Sequence, residues 1–406
     1  MKYLLCAVSL FLIVSCTINT KEAASVYKAG FKTMHAVDKS RMYKPNTDTT
    51  DYLHYRPIDV DIWYPASSSA TDSALLFRNI SGLFDKRANY YTASITGNGL
   101  SQQIAQLFCT GFKCSDTAGL LNYRTHSFEN VPAIQHKFPL VIYLSAFNGM
   151  SYENFSLFEE LAAKGFVVVS ISSIGRFPGD MTMKKEDLME QVNDALVSLD
   201  ILKQESNIDF TKIGIVGYSW GGLAAAVAAS KIPDVACLFS LDGSEFHHYG
   251  EAKEEDNDFD GIKNSSDFKN MHLAMPYLRL ESSPSARNNK KDTVYNFLEK
   301  LSANNQVFKI DSAQHEDFGC MSLVVRISGN CKDNNSFNTI SKITVAFLEA
   351  HLQNSNGFSQ IVSNEMNKTI HKKRNKYLPI NLNFQNEKKL PPLCCNLSFE
   401  RFICAA

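Results

Sequence analysis

The rhythm of apolar and polar positions changes along the chain. In Tyr55-Arg-Pro-Ile-Asp-Val-Asp-Ile-Trp-Tyr64, Ile58, Val60 and Ile62 alternate with Asp59 and Asp61. That period of two predicts a half-exposed antiparallel strand opening a sheet. From Pro139 onward, short apolar runs alternate with helical spacing. Residues 140–144 read as a strand, and 166–171 as a parallel strand covered on both faces. Between them, 154–164 places Phe155, Leu157, Phe158 and Leu161 on one face of a helix; 185–202 does the same with Leu188, Val192, Leu196 and Leu199. Further strands are expected at 213–216, 235–241, 277–280 and 306–310, with helices near 294–301 and 340–352. The βαβ rhythm predicts an α/β fold with a doubly wound, mostly parallel sheet.

Other segments lack this rhythm. Residues 66–135 show no strand alternation and suggest short helices near 74–84 and 102–108. They read as a helical insertion over the core, a candidate lid. The expected organisation is a signal segment at 1–16, a polar tether at 17–30, the main domain at 31–354 and an Asn/Lys-rich C-terminal appendage at 355–406.

Composition narrows the function classes. With 44% hydrophobic residues the chain can build a sizeable core, and 41 basic against 42 acidic residues give no pull toward nucleic acid. The basic cluster at 368–376 reads as a solvated tail. At the N-terminus one lysine precedes a short apolar stretch ending in small residues, the pattern of a secretory signal. Its end, Ile13-Val-Ser-Cys16, resembles a bacterial lipobox, which implies that Cys16 carries a lipid anchor to a membrane. The expected location is an outer-membrane, periplasmic or cell-surface lipoprotein, or otherwise a secreted protein.

Export permits disulfides. Spacing suggests local bridges Cys109–Cys114 and Cys320–Cys331, with Cys237 a buried thiol in an apolar strand. No cysteine pair has zinc-ligand spacing with a nearby histidine. The run Asp256-Asn-Asp258-Phe-Asp260-Gly261 has calcium-loop spacing, but Asp267 stands at the twelfth position, where a bidentate Glu is usual. A solvated acidic loop is expected there, and no metal or cofactor.

The candidate chemistry centres on Gly217-Tyr-Ser219-Trp-Gly221. A β-branched run precedes it and an Ala-rich helical stretch follows, the strand–turn–helix context of a nucleophile elbow. Ser219 is the candidate nucleophile. A serine needs a base and an acid that orients the base. Of ten histidines, His315 follows a late strand and precedes the last helix, which suits the base; His247 and His248 could reach the site mouth. Two residues compete as the acid, Asp242 and Glu281, each at the end of a predicted strand. The oxyanion donors would be the backbone N–H groups of Trp220 and of Phe147, in the loop after the early strand. Both rings would also wall the pocket.

Over about residues 130–352 the chain resembles the plasma-type platelet-activating factor acetylhydrolases, within the dienelactone-hydrolase-like group of the α/β-hydrolases. The likeness is carried by Phe138-Pro-Leu-Val-Ile-Tyr-Leu-Ser-Ala-Phe147, Gly165-Phe-Val-Val-Val169, Lys212-Ile-Gly-Ile-Val-Gly-Tyr-Ser-Trp-Gly-Gly222, Leu241-Asp242 and Gln314-His315-Glu-Asp-Phe318. In that family the acid follows the nucleophile by the 23 positions that separate Ser219 from Asp242, so the resemblance implies Asp242 over Glu281. It also implies an α/β-hydrolase fold and cofactor-free cleavage of short or oxidised acyl esters, from a small-molecule or lipid substrate. Where the family often has His-Gly before its oxyanion residue, this chain has Ser145-Ala146, and 66–130 has no counterpart. A carbohydrate esterase, a peptidase of the same fold and a non-catalytic surface binding protein are the competing readings.

Overall fold

A computed structural model describes residues 27–67, 72–91, 99–114, 116–246, 253–282, 295, 297–302, 304–332 and 336–369. The expectations for the signal segment, Cys16, His247 and His248 lie outside these residues.

The chain opens with strands β1 (Lys28–Met42) and β2 (Tyr55–Ala66), then the insertion helices α1 (Phe77–Tyr91), α2 (Leu100–Gly111) and α3 (Thr117–Leu121), and a short strand β3 (Ser127–Glu129). The alternating core follows: β4 (Phe138–Leu144), α4 (Phe155–Ala163), β5 (Val167–Ile171), α5 (Lys185–Leu202), β6 (Ile208–Tyr218), α6 (Trp220–Lys231) and β7 (Val235–Leu241). Next come α7 (Lys253–Asn264), α8 (Ser266–Lys269), β8 (Tyr277–Glu281) and β9 (Asn305–Lys309). Helices α9 (Met321–Ser328), α10 (Ser336–Leu352) and α11 (Phe358–Thr369) complete the described chain.

Among the described residues the strands form one sheet in the order β3-β1-β2-β5-β4-β6-β7-β8-β9. From β5 to β9 every pairing is parallel, while β2 runs antiparallel to both β1 and β5. The near-continuous apolar strands β4 and β5 are buried along their whole length because helices cover both faces. One face packs Phe155, Phe158, Ile343 and Phe347 of α4 and α10; the other packs Leu188, Val192, Leu223 and Val227 of α5 and α6. From β4 the chain crosses to β5 on one side and returns to β6 on the other. The carboxyl ends of β4 and β6 therefore flank a crevice where the strand order reverses, the usual ligand position in such sheets.

Strand β1 begins at Lys28, so three residues assigned to the tether belong to the sheet. Its polar residues hide the pattern because the second half lies half exposed at the sheet margin. The insertion helices join the α4 face, with Phe77, Ile80 and Ile104 buried there. Arg87 of α1 fastens them to the core: its guanidinium binds the buried Asp61 carboxylate at 2.7 Å and Ser151 Oγ at 2.8 Å. Of the tail, α11 docks on α10 through Phe358 against Phe347, ring centroids 5.6 Å apart.

The acidic run is not a loop. Residues 256–264 lie within α7, so Asp256, Asp258 and Asp260 are splayed around a helix and cannot wrap one ion. The cysteines also depart from expectation. Cys114 pairs with Cys331, while Cys109 and Cys320 are buried thiols, as is Cys237. Local spacing favoured the neighbours, but packing of the insertion on α9 brings the distant pair to 6.3 Å between Cα atoms. Cys109 faces the core from α2, and Cys320 Sγ donates to the Glu153 carbonyl at 3.3 Å.

Candidate active site

Strand β6 delivers Ser219 at its carboxyl end, where α6 begins one residue later. The turn is tight enough to force positive φ on a side-chain-bearing residue: Ser219 has φ 55° and ψ −123°. Such a conformation costs about 1–3 kcal/mol and persists only where the surroundings over-determine it. Here they do. The Ser219 N–H donates to Leu241 O at 3.1 Å, and its carbonyl accepts from Gly222 N at 2.9 Å and Ser244 N at 2.9 Å. The flanking glycines are obligatory. A Cβ on Gly217 would lie 2.1 Å from Gly221 O, and one on Gly221 would lie 2.0 Å from Leu144 O. Ser219 is left partly exposed at the crevice.

The fold brings Ser219, His315 and Asp242 into one line. His315 Nε2 lies 3.0 Å from Ser219 Oγ, and Nδ1 lies 2.7 Å from Asp242 Oδ2. With the ring proton on Nδ1, the imidazole donates to Asp242 and accepts from Ser219. Asp242 immediately follows β7, has φ 45° and is buried; its Oδ1 accepts from Ser282 N–H at 3.1 Å. The His315 side chain is 42% exposed, so solvent or substrate can reach it.

Glu281 is occupied elsewhere. Its Oε1 accepts from Arg279 Nε at 2.8 Å and its Oε2 lies 3.9 Å from Lys309 Nζ. Arg279 is itself fully buried and braces the acid turn, with Nη1 donating to Gly243 O at 2.6 Å and to Glu245 Oε1 at 2.9 Å. Burial is the largest influence on the Glu245 carboxyl and raises it, but the Arg279 charge together with hydrogen bonds from Ser240, Tyr277 and the backbone outweighs it and holds the group below its usual range.

The loop after β4 lies across the elbow. The Gly149 N–H closes a turn on Ala146 O at 2.8 Å, Ser145 Oγ donates to Ile171 O at 2.9 Å, and Gln191 Nε2 donates to Ser145 O at 2.8 Å. Among the described residues the Phe147 N–H donates to no group. The Phe147 ring meets Trp220 edge-on, centroids 5.7 Å apart. Phe147 is half-buried, whereas Trp220 is fully buried because the first turn of α6 points it into the apolar cluster beneath, so the Trp220 ring does not wall the pocket.

Several residues at the site carried no sequence signal. Tyr218 stacks on His315, centroids 5.2 Å apart at 29°, and its hydroxyl donates to His315 O at 3.0 Å. Burial raises the Tyr218 phenol well above its ordinary value, so it stays a donor. Tyr143, Glu153 and Asn154 lie beneath the loop. Asn154 reads in the sequence as the first residue of the 154–164 helix, yet its side chain makes no cap bond on α4.

A family profile described as alpha/beta hydrolase fold matches residues 139–266. No curated protein matches the sequence. Among solved structures the chain is similar to a ferulic acid esterase from Streptomyces cinnamoneus, with a TM-score of 0.57 and 18% identity, over 81% of this chain and 91% of that one. The fold is the α/β-hydrolase fold.

Proposed function

We propose that this α/β-hydrolase-fold chain is an exported serine hydrolase that cleaves carboxylic esters, with short-acyl or acetyl esters, including phospholipid-derived ones, as its substrate class. One observation carries the reading: the hydrogen-bonded line from Ser219 Oγ through His315 to a buried Asp242, with the serine on a strained elbow. Ser219 Oγ attacks the acyl carbonyl carbon as its proton passes to His315 Nε2. Asp242 holds the tautomer and stabilises the imidazolium. The N–H groups of Trp220 and Phe147 receive the oxyanion. Collapse of the tetrahedral adduct expels the alcohol, which takes the proton from His315. Water, deprotonated by the same imidazole, then releases the acid and regenerates Ser219. No step calls for a metal or an organic cofactor. A lipid on Cys16 holds the enzyme at a membrane. Loss of detergent-phase partitioning in Cys16→Ala tests the anchor.

The direct test is a panel of nitrophenyl esters of rising acyl length, together with acetylated sugars, methyl ferulate and a peptide amide. Ferulate belongs in it because the structural neighbour is a ferulic acid esterase. Short-acyl esters should turn over fastest. Cleavage of the amide alone would favour the peptidase reading; well-folded protein that cleaves nothing in the panel would favour the binding protein.

A further inference from the structure

We propose that Asn154, Tyr143 and Glu153 are positioning residues, a buried hydrogen-bond relay that fixes the His315 loop and the oxyanion loop relative to one another. The proposal rests on the catalytic reading of Ser219 and His315 given above.

The relay runs in one direction of donation. Asn154 Nδ2 donates to Phe318 O at 2.9 Å and to the Tyr143 hydroxyl at 3.0 Å. Tyr143 in turn donates to Glu153 Oε1 at 2.9 Å, and the same oxygen accepts from the Ala146 N–H at 2.9 Å. The links from Asn154 and from Ala146 have a chemically forced polarity, since an amide nitrogen and a backbone N–H only donate; the Tyr143 hydroxyl, accepting from Asn154, donates to the ionised Glu153 carboxylate. Phe318 closes the 3-10 turn that begins at His315. Ala146 immediately precedes Phe147, whose N–H is the assigned oxyanion donor. The two ends of the relay therefore sit beside the base and beside the oxyanion site, two parts 168 positions apart in sequence (315 − 147).

The chain spends polar groups here against its local interest. Asn154 occupies the N-cap position of α4, where such a side chain usually caps the helix, yet it is fully buried and turned toward the two loops. Tyr143 is buried among apolar residues of the α4 face, so its hydroxyl needs both partners. The Cys320 thiol adds a strut from the base side to the Glu153 carbonyl. A shift of about 1 Å between base and oxyanion donor can cost roughly a hundredfold in rate, so a shared anchor is worth its burial.

The test compares Glu153→Leu, Glu153→Gln, Asn154→Ala and the Glu153→Leu/Asn154→Ala double variant. Hydrolysis of 4-nitrophenyl acetate is read alongside hydrogen exchange of the 145–150 amides. Gln keeps an acceptor for both donors and should stay within about fivefold of wild type, whereas Leu should lose about 10–100-fold in kcat with KM nearly unchanged. The double variant should be no worse than the poorer single one. Asn154→Ala should speed exchange at Ala146, whose N–H is held by Glu153, although the Asn154 hydrogen bonds go to Tyr143 and Phe318. If Glu153→Leu does not fold, Tyr143→Phe removes the central donor and should shift kcat and exchange in the same direction. Unchanged exchange in Asn154→Ala, additive losses, a loss carried by KM, or Gln as damaging as Leu would each overturn the relay. Wild-type protein that hydrolyses no ester would overturn the reading of Ser219 instead, and the exchange comparison would still decide whether the loops are coupled.

Discussion

The Asp242 carboxylate meets the His315 imidazole at 2.7 Å through Oδ2, while its other oxygen takes the Ser282 N–H. Substituting Asp242→Asn keeps the shape and removes the charge, and it offers the ring a donor where an acceptor is needed. Turnover of a short-chain ester should fall by about 10⁴-fold with little change in folding. Glu281→Gln, whose carboxylate serves Arg279 and Lys309, should leave turnover nearly unchanged. Steady-state kinetics on the two variants ranks the acids, and the reverse ranking would displace Asp242.

Arg279 and Glu245 form a buried pair behind that acid, with Tyr277 donating to the same Glu245 oxygen at 2.6 Å. Removing only the cation leaves a buried carboxylate uncompensated. Arg279→Met should cost about 3–5 kcal/mol in chemical denaturation, and Arg279→Met/Glu245→Gln should recover much of it. A double variant as unstable as the single one would show that the charge pairing is not what matters there.

The Cys114–Cys331 bridge ties the insertion to the loop after α9, across a sequence separation of 217. Cys114→Ser should lower stability by about 2–5 kcal/mol. Non-reducing peptide mapping should recover the 114–331 pair and leave Cys109 and Cys320 as thiols that react only after denaturation. Recovery of a 109–114 peptide would restore the local pairing.

Glu153 gives a stability signature that depends on pH. Burial pushes its carboxyl up to about 7 from 4.5, against the Ala146 N–H, the Tyr143 hydroxyl and the His315 charge, which all lower it. A raised carboxyl pKa means the native state binds the proton more tightly than the unfolded chain. The resulting stabilisation is full below about 4.5 and lost as pH rises through about 7. The melting temperature of Glu153→Gln relative to wild type should therefore climb from pH 4.5 to 7 and level off above. A flat difference across that window would contradict it.

The parallel core was legible because strands such as 166–171 are apolar on both faces and the helices between them keep a 3.6-residue spacing. Strand β1 was not, since a margin strand that carries polar residues on both faces, Lys32 and Asp38 on one and His35 on the other, loses its apolar alternation. The acidic run 256–261 imitates a calcium loop in spacing, but its backbone is helical, and spacing alone does not carry backbone conformation. The disulfide was missed because tertiary packing overrode sequence proximity. At the site, motif context singled out Ser219 and His315, and the 23-residue step favoured Asp242; the structure brings those three within hydrogen-bond reach. Tyr143, Glu153 and Asn154 were illegible because an Asn before an apolar helix looks like a cap, and its partner Phe318 lies 164 positions away.

The central claim is that the Ser219 hydroxyl is the nucleophile. Incubating the protein with a fluorophosphonate probe and mapping the adduct by peptide mass spectrometry tests it most directly. One adduct per chain, located on Ser219 and absent in both Ser219→Ala and His315→Ala, is the expected result. Well-folded protein that takes up no probe, or that is labelled at another residue while Ser219 stays free, would contradict it.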